Sequence, residues 1–584
     1  MTTKFLNNKF SAFLQKHSTK ILCITCFLIS NLFLMSFLFP TDSPITGHDY
    51  QYHYLRVEAV KYNIETNNIF SGIDYLYFGG GGYAGFAYPE IFLYIPALLR
   101  IAGLGIGESM AVFLVLCSSF SYWFMFIFMR GISKSPICGT IGAVLYVLST
   151  YRLDNIITRF ALGEVLAYVF WPLILYGLYD FIFDEFKKPH IIGFGFVGML
   201  LSHTISTVLA LGLCVIVSLI FVKRILRAPK KLITLAVTAG CAVLVTAFYW
   251  IPLLELLFSC EMSVQISAYN TVDNAIPFVR LFKDIMDGGG VAGMKFPVFL
   301  LCVPRVFLTS DSPVSKMYLQ DKNTKKSKNI LVFADTFLIA GLVLALMSTN
   351  LVPWDILSAV LNFIQFPWRL FAPASILLII AGTIYFYYIA EFTKVPMTAM
   401  LLITAVSVLI AFVHTEVGGV NHTEPYDTNY YSDTDKTYEI GQGEWLPRAA
   451  QGDGVNAVCE MGDNVLLSSG EALPCERENG MLVFDLNEND KVDFAILPYI
   501  WYKGYEAKDE NGNKRDISMS ENGLVQVELS GASGRITVEH KPTPLKTASY
   551  FISAFVVIAL TALTLIRRIK GNGKRKSEQQ PLSR

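Results

Sequence analysis

The sequence predicts an α-helical polytopic membrane protein of about twelve spans, carrying a small C-terminal β-sandwich outside the bilayer. Three observations predict it. Of 584 residues, 53% are hydrophobic, 14% aromatic and only 16% charged, with a mean hydropathy of +0.46; this is too apolar for an ordinary soluble enzyme. Long apolar runs recur between Ile21 and Ile566, and Lys and Arg collect on alternate connections between them, the pattern that sets topology. One polar stretch, Thr415 to Lys546, interrupts this and carries short alternating segments, the signature of strands. The formal net charge is zero, which excludes the basic footprint of a nucleic-acid binder.

Lys4, Lys9, Lys16 and Lys20 precede the apolar run Ile21–Phe39. That arrangement is like a signal peptide, but the run is long enough to span and no small-residue cleavage site follows, so it reads as a retained anchor with a cytoplasmic N-terminus. The loop 41–88 then emerges outside. Its stretch TGHDYQYHYLRVEAV, if helical, places Asp49, His53 and Arg56 at i, i+4 and i+7 on one face, an amphipathic helix at the membrane surface with a chemically capable side. Thr46 and Asp49 also fit a capping box, which accounts for the acid alone but not for His48, His53 and Arg56 arriving with it. FGGGGYAGFAYPE follows; it lacks the Gly-Lys-Ser/Thr ending of a phosphate-binding loop and reads as a connecting loop.

The remaining expected spans are Met110–Met129, Ile137–Thr150, Val165–Phe183, Ile191–Ser202, Thr204–Val222, Leu232–Leu257, Val291–Leu308, Ile330–Met347, Phe371–Ile389, Met397–Val413 and Ala548–Ile566. Both termini come out cytoplasmic. The domains expected are a multi-span unit 1–414, an external β-rich region 415–546 read as binding or structural support, and a last span with a basic cytoplasmic tail, 547–584. YRLDNIITRFALGE sets Arg152, Asp154, Arg159 and Glu164 at the outer boundary, where ionisable groups must pair or face water. His203 lies between two spans, and Trp368 and Arg369 open another, where an aromatic belt is the ordinary explanation. Cys459 and Cys475 are close in the polar region, and an oxidising exterior would permit a disulfide between them. No spacing of His and Cys suggests a bound metal.

Five motifs occur in order: GHDYQYHYLR at 47–56, YRLDNIITRFALGE at 151–164, QFPWR at 365–369, GEWLP at 443–447 and LPYIWYKGYEA at 497–507. Over nearly the whole chain they resemble the bacterial membrane proteins called 6-pyruvoyl-tetrahydropterin-synthase-related, and also the YfhO-like proteins, although nothing in the residues suggests pterin chemistry. The resemblance implies the GT-C class of glycosyltransferases, with an acidic residue in the first external loop and a polyprenyl-phosphate sugar as donor. Asp49 matches that acid. The resemblance assigns no role to His48, His53, Arg56, Arg152, Arg159, Glu164, His203 or Arg369, which stand as substrate-binding candidates. His48-Asp49 replaces the two adjacent acids of several GT-C enzymes; no cofactor is expected, and a divalent metal stays open.

The expected activity is transfer of a sugar from a polyprenyl-phosphate donor to a cell-envelope glycan or polymer at the outer face of the membrane. Asp49 would be the base and Arg152, Arg159 and Arg369 the phosphate ligands. A transporter or flippase of lipid-linked saccharides and a non-enzymatic scaffold are the alternatives. The absence of a repeated half, and polar groups outside rather than at mid-membrane, count against transport.

Overall fold

The computed structural model describes residues 2–39, 46–70, 72–266, 271–283, 297–309, 312–313, 316, 324–418, 443–478, 480–487 and 492–578. Two compact units emerge, and neither follows sequence order: 1–61, 91–232 and 268–428 form the first, 62–90, 233–267 and 429–584 the second.

The first unit is helical. Its apolar runs fold as helices, which satisfy most backbone hydrogen bonds within the segment, as a bilayer demands. Across the described residues seven helices are long and apolar enough to cross a membrane, and the pair Pro229–Val245 and Ala247–Ser259, bent by 68°, would make an eighth. That is fewer than twelve full-length spans. The runs expected at 137–150, 191–202 and 204–222 fold as helices of 12, 12 and 17 residues; a 12-residue helix is about 18 Å long against a hydrocarbon core of about 30 Å. Prolines at positions 136 and 189 set where two of them begin, since proline fits the first helical turn but not the interior. The run expected at 291–308 lies partly outside the described residues.

The windows Leu162–Phe183 and Pro367–Phe392 are 89% and 94% buried, whereas Pro396–Thr415 is 22% buried. The first two therefore form the centre of the unit. Glycines bring the helix Pro189–Leu200 against Leu162–Phe183: a Cβ on Gly177 would meet Ile192, one on Gly195 would meet Ile174, and one on Gly198 would meet Phe170. Small residues at such contacts let helix backbones approach where no hydrophobic effect drives association.

The helix expected after the first span forms over Tyr50–Glu65, with a different setting. His53, Tyr54, Leu55, Arg56, Val57, Ala59 and Val60 are all buried, so most of its circumference is packed against protein, while Gln51, Glu58, Lys61, Tyr62 and Glu65 are half-buried or exposed. Glu58 on it pairs with Arg100 at 2.6 Å.

The second unit holds two five-stranded antiparallel sheets, in the orders β2-β1-β5-β9-β8 and β3-β4-β10-β6-β7. The strands are β1 Asn464–Leu467, β2 Ala472–Pro474, β3 Glu476–Glu478, β4 Met481–Leu486, β5 Phe494–Ile500, β6 Tyr505–Lys508, β7 Lys514–Arg515, β8 Ile517–Met519, β9 Leu524–Glu528 and β10 Gly534–His540. Alternating residues such as Leu482, Phe484, Leu486, Ile536 and Val538 are buried, the period-two pattern of sheets with one covered face. Residues 419–442 of the expected external region lie outside the described residues. Cys459 and Cys475 both carry thiols, so the expected disulfide is not formed. Cys475 directly follows the β1–β2 pairing Asn464↔Pro474, its amide donating to Asp463 O at 2.9 Å, while Cys459 lies on the helix Asp453–Met461.

Three motif segments meet inside this unit. Gly79, Gly80 and Gly82 all have positive φ, the conformation that favours glycine, so FGGGGY is a tight packed turn instead of a slack loop. Its Gly81 carbonyl accepts from the Ile500 amide at 2.8 Å. Trp445 of GEWLP donates its amide to Tyr83 Oη at 3.2 Å and accepts from Tyr502 Oη at 3.1 Å.

Gly177→Ala is expected to destabilise the protein by about 1–3 kcal/mol, because the new methyl meets the Ile192 backbone. Gly212, with nothing within 4 Å of an added Cβ, is the control. Thermal unfolding of both variants in detergent checks this; equal melting temperatures would contradict it.

Candidate active site

The site lies in the first unit, where the chain entering Tyr50–Glu65 runs beside the end of a short helix, Thr150–Ile157. The His48 amide donates to Thr158 O at 3.2 Å and the Asp49 amide to Arg159 O at 2.9 Å. A Cβ on Gly47 would lie 2.7 Å from both Arg159 C and Phe160 N, so only glycine permits this approach. Phe160 itself has φ +52°, an uncommon conformation for a bulky residue. Asp49 stands at the N-cap position, its carbonyl accepting from His53 N at 3.2 Å, and the residue is exposed.

Behind it is an enclosed cluster built on Glu164, in the first turn of Leu162–Phe183. Glu164 Oε1 accepts from Arg159 Nη1 at 3.0 Å and lies 3.5 Å from Arg369 Nε. Its Oε2 accepts from Tyr151 Oη at 3.0 Å and Asn155 Nδ2 at 3.3 Å. Arg159 Nη1 also donates to Asn155 Oδ1. Tyr151 and Asn155, four residues apart, share one side of the short helix, and Arg159 follows just past its C-cap Thr158.

QFPWR supplies the opposite wall. The Phe366 and Trp368 rings stack, 4.9 Å apart at 15°. Arg159 Cζ lies 4.3 Å from the Trp368 centroid and Arg369 Cζ 5.0 Å from that of Phe366; cations over ring faces at such distances are attracted to them. Trp368 is thus a cation platform in addition to any belt role. Gln365 Oε1 and Ile364 O accept from Arg369 Nη1. The Nη2 groups of Arg159 and Arg369 make no hydrogen bond to a described residue and are not among the enclosed orphan atoms. They are the donors left for an anion.

The other candidates do different things. His53 Nε2 accepts from the Leu162 amide at 3.3 Å, satisfying the first donor of a central span, and Arg56 Nη1 lies 3.5 Å from His53 Nδ1. Burial, with Arg56 next in effect, holds the His53 imidazole well below its ordinary pKa. His203 Nδ1 accepts from Ser206 N at 3.3 Å, making it the N-cap of Thr204–Ile220. Arg152 is fully enclosed, with Nη1 on Val147 O at 2.8 Å and Nε and Nη2 without partners among the described residues. It is sealed away from any phosphate outside.

At Asp49, although the residue is exposed at the surface, desolvation by the surrounding protein raises the carboxyl from its ordinary value; Arg159, His48 and Arg369 pull it down, and the Glu164 charge adds to the rise. Sequence reading missed the partners Tyr151, Asn155 and Gln365, and a second buried pair, His414 with Asp154, whose Nε2 and Oδ1 are 2.8 Å apart. The four-residue spacing of Tyr151, Asn155 and Arg159 was a legible signal. No spacing pointed to His414.

No family model matches the chain. An uncharacterised protein of Lactococcus lactis subsp. cremoris (strain MG1363) is 25% identical over 333 residues, covering 55% of this chain, which spans about half (52%) of that relative. Of the solved structures, the cryo-EM structure of the arabinofuranosyltransferase AftD from Mycobacteria is similar over 70% of this chain and 28% of that one, with a TM-score of 0.39 and 15% identity. A mutant form of the same enzyme gives 0.37 and 13%, over 70% and 29%.

Glu164→Ala is expected to cost about 3–5 kcal/mol, because it leaves two enclosed guanidiniums without their shared counter-charge. Folded yield and thermal unfolding measure it. Wild-type stability would show that the cluster is not held by this carboxylate.

Proposed function

We propose that this multi-pass membrane protein transfers a sugar from a polyprenyl-phosphate donor to a cell-envelope acceptor. The observation that carries this is one exposed carboxylate, Asp49, whose main chain is hydrogen-bonded to the Arg159 carbonyl and whose charge is acted on by Arg159 and Arg369. A base and two anion donors are what the reaction needs on its two sides. The acceptor hydroxyl attacks the anomeric carbon, the bond from that carbon to the phosphate oxygen breaks, and the hydroxyl proton passes to Asp49. The lipid phosphate departs as an anion, whose growing charge Arg159 Nη2 and Arg369 Nη2 stabilise. Arg152 is too enclosed to share that task. We place the reaction on the outer face, following the Lys and Arg pattern of the loops. A membrane-impermeant thiol reagent should then label a cysteine at position 48 in intact cells; labelling only after lysis would reverse the sidedness.

Asp49→Asn is expected to abolish transfer, read as the loss of one sugar from envelope glycans relative to wild type, with normal accumulation of the protein. A carboxyl whose folded-state pKa is raised contributes stability only at low pH, and loses it as pH rises through that pKa. Asparagine also caps as well as aspartate. At neutral pH the variant should therefore melt no lower than wild type. In the wild type, kcat/KM should rise with pH through a limb displaced upward from the ordinary value of an aspartate. Unaltered glycans with a well-expressed variant would remove Asp49 from the mechanism.

A further inference from the structure

We propose that His414 is a positioning residue for Asp49, acting through Asp154; this rests on reading Asp49 as the base. His414 lies in the last turn of the span Pro396–Thr415, and its imidazole and the Asp154 carboxylate are each 8% exposed at the side chain. Nε2–H donates to Asp154 Oδ1 at 2.8 Å, a charge-assisted bond strengthened by low dielectric surroundings.

What Asp154 does with its main chain gives the pair its consequence. The Asp154 carbonyl accepts from both Thr158 N, at 3.0 Å, and Arg159 N, at 2.8 Å. The Thr158 and Arg159 carbonyls in turn accept from His48 N at 3.2 Å and Asp49 N at 2.9 Å. A side chain on a distant span thus fixes the turn on which the Asp49 main chain is hung. Arg159 shares that turn through its main chain, but its guanidinium, like that of Arg369, has a separate anchor in Glu164, so loosening His414 should misplace the base more than the anion donors.

The signature is a split between kcat and KM. His414→Leu should lower kcat for transfer about tenfold or more, as expected when a reacting group moves by an ångström or less, with the KM for the lipid-linked donor within about twofold of wild type. His414→Gln keeps an N–H donor close to the position of Nε2 and should restore kcat to within about threefold. Hydrogen exchange by mass spectrometry on the full-length protein in detergent gives an arm that needs no turnover. Exchange of the His48 and Asp49 amides should speed up about tenfold in His414→Leu and stay near wild type in His414→Gln.

Unchanged exchange at 46–50 in His414→Leu overturns the proposal, as does acceleration spread evenly over the helical unit or a failure of His414→Gln to restore it. Faster local exchange with an unaltered kcat overturns it equally. If the wild-type protein transfers no sugar, the reading of Asp49 fails by itself, and the exchange arm still decides whether His414 holds the turn. Should His414→Leu fail to fold, Asp154→Asn, which keeps the acceptor oxygen and removes the charge, is read in the same two assays with the same criteria.

Discussion

Two guanidiniums in one enclosed site repel each other strongly unless a counter-charge lies between them. Glu164 supplies it, taking Arg159 at 3.0 Å and Arg369 at 3.5 Å on the same carboxylate oxygen. Tyr151 and Asn155 fill the other oxygen, so no lone pair of consequence is wasted in the interior. The first turn of a helix is also where an anion is electrostatically favoured. Around this carboxylate the short helix Thr150–Ile157, the start of Leu162–Phe183 and the QFPWR turn are brought to fixed positions, and the entrance to Tyr50–Glu65 is hung on them.

The resulting polarity separates two kinds of work. Cations are enclosed, oriented by aromatic faces and held by one carboxylate, which leaves a small number of N–H groups pointing to an incoming anion. The acid whose charge they act on is exposed and raised from its ordinary value by its surroundings. A base that is partly desolvated and not locked in an ion pair keeps its basicity for a substrate proton. Had Asp49 sat where Glu164 sits, the arginines would have consumed that basicity.

Much of this was legible in the residues. The helical membrane class followed from composition and run lengths, and the helix after the first span from TGHDYQYHYLR. Glu164 and Arg159 stood out because charges at a membrane boundary need a reason. Three things were not legible. The span count depended on length, and 12-residue apolar helices read as spans when only hydropathy is weighed. The burial of most of Tyr50–Glu65, and the meeting of Gly47 with the Arg159–Phe160 backbone, rest on contacts over a hundred residues apart in sequence that periodicity cannot reveal. The roles of the histidines were set by which helix start each one meets, so His53 and His203 emerged as caps. Cys459 and Cys475 show the same limit: closeness in sequence did not foretell that one would lie on a helix and the other at a strand hairpin, without a bond between them.

The most direct measurement is release of lipid phosphate by the purified protein reconstituted in vesicles with a polyprenyl-phosphate sugar labelled in both lipid and sugar. Transfer by attack at the anomeric carbon predicts one polyprenyl phosphate freed for each sugar moved to an acceptor, with release depending on the acceptor. No release from any polyprenyl-phosphate sugar, or movement of the intact lipid-linked sugar across the bilayer without cleavage, would contradict it.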